Sequence, residues 1–383
     1  MIWDWVKGSK AFKNISTIGI STVTGNAISS LFWIYLAGVL GAESYGQVSY
    51  LLAIAGIASS VALLGGTWTM TVYTAKGVKI QSALYIISLI SSGVTLVVIL
   101  VIFDSISIGT YVIGYVIFQL ILAELLGSKL FKKYAKFYFL QKIIFVCLAY
   151  FFYQTIGIEG ILIGYGLSYI IFFHHILNTL RKTKLDFDIL KTKFSFLANN
   201  YLYDLVGSFR GEIDKLIIAP MLGFIFLGNY FLGLQIVGML GILPGIVFSY
   251  VLPMDASGKS TTKVKKITLL FSGGFTLVGI FLIPIFLPAI FPEYTDSVKL
   301  IPILSLSLIP MTLQNMFTSK LLGKEKTKYV LISYIISIFV LVSGIIVLGN
   351  MFDLEGIAVA FVLSQISYAF LTIIFSRITI STE

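Results

Sequence analysis

The chain has 383 residues, 58% of them hydrophobic and 11% charged, with a mean hydropathy of +0.98. Soluble domains carry roughly 25% charged residues, so this composition excludes a soluble protein. The formal charge of +10 does not point to nucleic acid, because the basic residues fall between apolar segments where they would face anionic lipids. The single Cys147 sits in an apolar stretch, which excludes a disulfide framework and a thiolate metal site. His174 and His175 are adjacent and point to different helix faces, so they are expected near the cytoplasmic end of a helix without a shared metal. No cofactor is expected.

Taken in order, the chain opens on MIWDWVKGSKAFKN, which is amphipathic and basic rather than a cleavable signal. Hydrophobic periodicity then predicts twelve membrane spans. In the first half they cover about 15–38, 47–70, 81–103, 108–128, 137–156 and 160–180. In the second half they cover about 196–220, 225–251, 265–290, 297–319, 329–350 and 356–376. The expected fold class is all-α integral membrane, with twelve transmembrane helices in two pseudo-symmetric six-helix lobes around a central cavity. The expected lobes are residues 1–180 and 196–383. The basic connection 181–195, RKTKLDFDILKTKFS, is expected to be a cytoplasmic linker lying as an amphipathic helix on the membrane surface.

Charge fixes the expected orientation. Apart from Lys299, Arg210 and Lys215, every Lys and Arg falls at one set of alternate gaps, from Lys7, Lys10 and Lys13 through Lys129–Lys142 to Arg377. The opposite gaps hold Glu43, Asp104, Glu159, Glu293, Asp296, Asp353 and Glu355. By the positive-inside rule both termini are cytoplasmic. No gap exceeds about fifteen residues, too little for a catalytic domain outside the membrane, so the chain is not expected to be an enzyme.

The two halves look duplicated. Leu40-Gly41 and Gly46 return 182 residues later as Leu222-Gly223 and Gly228. Ile158-Glu159-Gly160-Ile161 and Leu167-Ser168 return 196 residues later as Leu354-Glu355-Gly356-Ile357 and Leu363-Ser364. Six spans per half give both copies the same orientation, so they are parallel repeats about an axis along the membrane normal.

Within that pattern, Leu40-Gly41-Ala42-Glu43-Ser44-Tyr45-Gly46, read as the first external turn, resembles the LGxxxYG signature of the oligosaccharide flippases. These are the Wzx-type polysaccharide-biosynthesis branch of the multidrug/oligosaccharidyl-lipid/polysaccharide exporter superfamily. The seventh span is similar to that family too, with Asp214, Leu222-Gly223, Gly228 and Tyr230. Gly38 and Ala42 depart from the basic residue and proline that many relatives carry there. The resemblance covers the whole chain. It implies a MATE-like fold and transfer of a polyprenyl-linked oligosaccharide from the cytoplasmic to the outer leaflet of the cell membrane by alternating access. The expected partners are that substrate, membrane lipids and a coupling H+ or Na+; the expected state is a monomer.

The seventh span carries Asp204, Arg210, Glu212, Asp214 and Lys215. Each charge costs about 2.5–3.5 kcal/mol at mid-membrane, so the cluster needs partners, water or a task. Arg210 is the expected phosphate ligand, since a guanidinium binds phosphate bidentately; the alternative is an ion pair with Asp214 at i+4. Lys215 either joins substrate binding or snorkels outward. Asp204, near Asn200 and Ser208 on one face, is a candidate for ion coupling or a hydrogen-bonded structural carboxylate. Asp214 and Glu212 are candidates for coupling or gating, Glu212 against a neighbouring helix. Glu124 pairs with Lys129 or lines the inner mouth. Asn26, in a first span rich in Ser and Thr, either bonds sugar hydroxyls or belongs to a packing face. Trp68 and Tyr73 are expected in an interfacial aromatic belt.

All eight prolines follow residue 219, which predicts kinked helices in the second lobe, with Pro244 and Pro302 or Pro310 as bends. Two other functions stay open: an ion-coupled multidrug or small-solute exporter of the same superfamily, and a membrane enzyme of glycan polymerisation. A scaffold would leave the embedded charges unexplained.

Overall fold

Every regular element among the described residues is a helix. A computed structural model describes residues 10–183, 185–242, 244–245, 247, 262–323 and 326–381. Lys7, Lys184, Lys259, Lys324, Pro253 and most of the N-terminal basic stretch lie outside them.

Helix α1 (Lys10–Leu63) bends at Gly41, where φ 72 and ψ 170 interrupt the helical ladder. After Leu64 and Gly65, both left-handed, α2 (Gly66–Ala75) continues its second arm. Then come α3 (Gln81–Phe103), α4 (Ile106–Gly127), α5 (Phe131–Ile156), α6 (Ile158–Ile170) and α7 (Phe173–Lys182). The single turn α8 (Asp188–Thr192) leads to α9 (Phe194–Leu222) and α10 (Phe224–Leu240). Beyond them lie α11 (Thr262–Leu277), a π-helical turn (Val278–Leu282), α12 (Ile283–Ile290), α13 (Ser297–Ser305), α14 (Leu308–Gly323) and α15 (Thr327–Ser381).

Among the described residues, eight helices are long and apolar enough to cross a membrane. Two of them, with apolar stretches of 45 residues in α1 and 52 in α15, would extend about 68 and 78 Å at 1.5 Å per residue. A hydrocarbon core is about 30 Å thick, so each supplies two passes. The charged α9 and the 17-residue α10 complete the expected twelve. On α3, Ile90, Val94, Val97, Val98 and Val101 are exposed, the face a lipid-facing helix presents. The chain is a multi-pass membrane protein.

The duplication is visible in the backbone. Gly223, the counterpart of Gly41, has φ 102 and ψ 170. Gly157 (φ 81, ψ −147) opens α6, and its counterpart Asp353 (φ 47, ψ −129) breaks α15. A side chain on Gly160 would strike the Phe152 carbonyl, and one on Gly356 the equivalent Leu348 carbonyl. Ser168 donates to Tyr165 O at 2.6 Å and Ser364 to Phe361 O at 2.8 Å.

The prolines explain the irregular helices. Pro284 has no N–H for the Ile280 carbonyl, and the π turn just before it absorbs the misfit. Pro310 likewise leaves Leu306 O without its partner, and the tenth pass breaks at Leu306–Ser307 between α13 and α14. The bend therefore lies between Pro302 and Pro310.

One expectation for the linker fails. No continuous helix covers 181–195, because Asp186 Oδ1 accepts from the Asp188 N–H at 3.0 Å and so competes with helical pairing. The amphipathic helix is α7, which buries His175, Ile176 and Thr179 and ends on Arg181 and Lys182.

The chain forms two compact units, each discontinuous in sequence: residues 1–29 with 51–208, and residues 30–50 with 209–383. In the first, α4 is buried along most of its length and packs against α2, α3 and α6. In the second, Leu227, Tyr230, Leu300, Leu304, Ile345 and Ile357 form the centre of the core.

Candidate functional site

Helix α9 contributes to both units, and its polar residues divide with it. In the first unit, Gly65 lets α9 approach closely: any side chain there would meet the backbone of Leu197 and Tyr201. Ser208 donates to Gly56 O at 3.2 Å, and Trp68 Nε1 donates to Asp204 Oδ1 at 3.2 Å. The indole expected in an aromatic belt thus serves as the hydrogen-bond donor to Asp204. The nearby Asn200 Nδ2 is buried with no partner among the described residues.

In the second unit, Arg210 lies in a cradle of neutral groups. Its Nε donates to Ser337 Oγ at 3.1 Å, and its Nη2 donates to Gln365 Oε1 at 2.7 Å and to Gln314 Oε1 at 3.4 Å. The guanidinium carbon sits 4.6 Å from the Tyr368 ring and 5.4 Å from the Tyr334 ring. Those rings stack at 4.8 Å, and Tyr368 shares a hydrogen bond with Thr318 at 3.0 Å. The expected ion pair with Asp214 is absent among the described residues, because the amide oxygens and Ser337 take the guanidinium donors. Among the described residues the donors Arg210 uses are Nε and Nη2, and Nη1 makes no hydrogen bond.

Asp214, Lys215 and Glu212 form a closed network instead. Tyr230 donates to Asp214 Oδ2 at 2.8 Å. Lys215 Nζ donates to Gly211 O at 2.7 Å and Glu212 Oε2 at 2.8 Å, and lies 3.7 Å from Asp214 Oδ1. Lys215 is 7% exposed, so it does not snorkel: two carboxylates hold it inside. Glu212 faces its own helix rather than a neighbouring one, since Lys215 stands one turn on.

Elsewhere in the first unit, Glu124 accepts from Tyr85 at 2.6 Å and Thr179 at 3.1 Å, with His175 Nε2 at 3.3 Å. Lys129, its expected partner, is displaced by these donors, since Lys129 adopts a left-handed turn beyond the helix end. His175 is buried rather than interfacial, with its Nδ1 3.1 Å from Lys133 Nζ. Asn26 is exposed and accepts from Tyr138 at 2.6 Å.

One basic residue was misplaced by the sequence reading. Lys142, expected in a cytoplasmic gap, lies within α5 and is 9% exposed. Its Nζ stands 5.4 Å from the Tyr138 ring and 5.8 Å from the Tyr165 ring. The predicted span 137–156 already contained Lys142, although the charge pattern counted it with the cytoplasmic basic residues; its i−4 spacing from Tyr138 was the available signal.

No protein-family model matches the sequence, and no curated protein does. Solved structures do share its fold. An inward-facing multidrug resistance MATE family transporter of the MOP superfamily is 17% identical, with a TM-score of 0.68 over 94% of this chain and 95% of that one. An outward-facing structure of such a transporter is 16% identical, with a TM-score of 0.65 over 97% and 96%. A MOP superfamily transporter from Pyrococcus furiosus, described as having a binding pocket of reversed polarity, is 15% identical, with a TM-score of 0.58 over 96% of each chain. The chain has the two-lobed fold of these transporters.

Proposed function

We propose that the protein is a membrane transporter that moves a lipid-linked oligosaccharide, on a polyprenyl phosphate or pyrophosphate, from the cytoplasmic to the outer leaflet by alternating access. The observation that carries this is Arg210, a guanidinium stacked on Tyr368 and held by neutral acceptors, with no carboxylate partner among the described residues. A site of this kind favours an anion and disfavours a cation. Phosphate geometry suits the free Nη1 edge. The tyrosine rings beside it are surfaces on which a sugar can pack. Asp204 is the coupling group for H+ or Na+. Both termini are cytoplasmic, and access to the substrate alternates between the two sides of the membrane.

The test is leaflet transfer of a labelled lipid-linked oligosaccharide in proteoliposomes, wild type against Arg210→Ala. Transfer that falls at least tenfold with Arg210→Ala supports the reading. No transfer by the wild type, with several carriers and with ion gradients applied, would reject it.

A second reading is ion-coupled export of drugs or other small solutes, as the multidrug resistance neighbours suggest. Asp204, whose one hydrogen-bond donor among the described residues is the Trp68 indole, favours it. Counterflow of an organic cation that depends on Asp204 and not on Arg210 would establish that alternative.

A further inference from the structure

We propose that the first unit holds an oxyanion site of its own, built on Lys142 and independent of Arg210. The ligand group is a phosphate or a carboxylate. This goes beyond the reading above, which assigns the substrate phosphate to Arg210, and it holds whether or not the substrate is lipid-linked.

Lys142 lies in the interior of α5, not in a turn, and is 9% exposed. An ammonium removed from water requires a compensating charge or a full set of acceptors. Among the described residues no carboxylate forms an ion pair with it. Its surroundings are phenols: Tyr138 one turn earlier on the same helix and Tyr165 from α6, whose rings lie 5.4 and 5.8 Å from its Nζ. Two aromatic faces hold the cation in place but do not neutralise it. This is the chemistry of a fixed cation awaiting an anion.

The groups around it also suit a ligand with hydroxyls. Gly25 brings α1 so close that a side chain there would press on Tyr138 and on the Lys142 stem. The next residue, Asn26, is exposed and accepts from Tyr138, which leaves its amide N–H groups to donate. Gln141 Nε2 is spent on Ser168 at 2.9 Å, while Gln141 Oε1 is buried with no partner among the described residues. A buried cation and an exposed amide thus flank the Tyr138 side chain, on α5 and α1 of one unit.

The repeat makes the assignment sharper. Tyr138 is the counterpart of Tyr334, at the 196-residue offset that relates Gly160 to Gly356. Each unit therefore carries a basic group against the same tyrosine position. The first draws its cation from the helix that bears the tyrosine, and the second draws Arg210 from α9. Duplication placed the aromatic surface in both halves, and the basic residues differ.

The test is equilibrium binding of labelled inorganic pyrophosphate to the full chain in phosphatidylcholine nanodiscs. Wild type, Arg210→Gln, Arg210→Gln with Lys142→Gln, and Arg210→Gln with Lys142→Arg are compared, with thermal unfolding as the check on folding. Arg210→Gln should keep saturable binding, Lys142→Gln should weaken it at least tenfold in that background, and Lys142→Arg should restore it. Competition by glucuronate identifies a carboxylate ligand. Competition by phosphatidylglycerol in the disc identifies a lipid headgroup. Either result, if it requires Lys142, supports the site. Loss of all binding in folded Arg210→Gln, or unchanged binding in folded Lys142→Gln, would overturn it. If the wild type transfers no oligosaccharide yet binds pyrophosphate through Lys142, the transport reading fails and the site stands.

Discussion

Gly46 and Gly228 lie against each other: the Phe224 carbonyl fills the place of a Gly46 side chain, and the Ala42 carbonyl that of a Gly228 side chain. Ala42 and Gly46 correspond to Phe224 and Gly228 at the 182-residue offset, so this crossing is its own counterpart. Tyr45 beside it is fully buried, 4.9 Å from the Phe231 ring and 6.2 Å from the Tyr294 ring. The LGxxxYG run read as an external turn is therefore mostly helix, with the turn confined to Gly41.

Gly46→Ala and Gly228→Ala should each destabilise the protein by about 1–3 kcal/mol, because backbone carbonyls cannot yield as side chains do. Gly238, with nothing near its missing side chain, is the control: Gly238→Ala should be neutral or slightly stabilising. Thermal unfolding in detergent reads both; equal effects at all three positions would refute the packing argument.

Asp353 occupies a backbone conformation that its counterpart Gly157 adopts without strain. Asp353→Gly should raise stability by about 1 kcal/mol, within the usual 1–3 kcal/mol of such strain. Gly157→Ala should lower it by a similar amount. A stabilising Gly157→Ala would contradict the assignment of strain to this position.

Lys215 neutralises two embedded carboxylates, so Lys215→Met should cost about 3–5 kcal/mol by leaving them uncompensated. Tyr230→Phe removes one charged hydrogen bond and should cost about 1.5–3 kcal/mol. Lys215→Met with Glu212→Gln should recover part of the loss. If Lys215→Met unfolds like the wild type and impairs only substrate binding, Lys215 is a ligand group instead.

Glu124 ties α3, α4 and α7 together through Tyr85, Thr179 and His175. Glu124→Leu should destabilise by at least about 2 kcal/mol, since Tyr85 and Thr179 lose their buried acceptor. Lys129→Met should leave the unfolding midpoint within about 1 °C, since a surface charge contributes little. A larger effect of Lys129→Met than of Glu124→Leu would restore the surface ion pair.

Much of the fold was legible because hydrophobicity along the chain is a local property. Apolar runs marked the passes, and glycines at two fixed offsets marked the repeat. Prolines confined to the second half marked where helices would be irregular, since a missing N–H acts wherever it falls; Pro310 was among the expected bends, whereas the π turn before Pro284 was not. The partners of the charges were not legible. Sequence spacing offered Asp214 to Arg210 and Lys129 to Glu124; Gln365 and His175, distant in sequence, hold them instead.

The amino-acid sequence by itself determined that this is a membrane protein of repeated helices with charges buried in the seventh, because water and hydrocarbon act on each segment separately. Tertiary structure decided which embedded charges are neutralised by carboxylates within the fold and which meet only neutral groups. That choice depends on which distant helices bring acceptors within about 3 Å, a distance local patterning does not specify. Lys215 is enclosed by carboxylates from its own helix; Arg210 and Lys142 meet only neutral groups among the described residues.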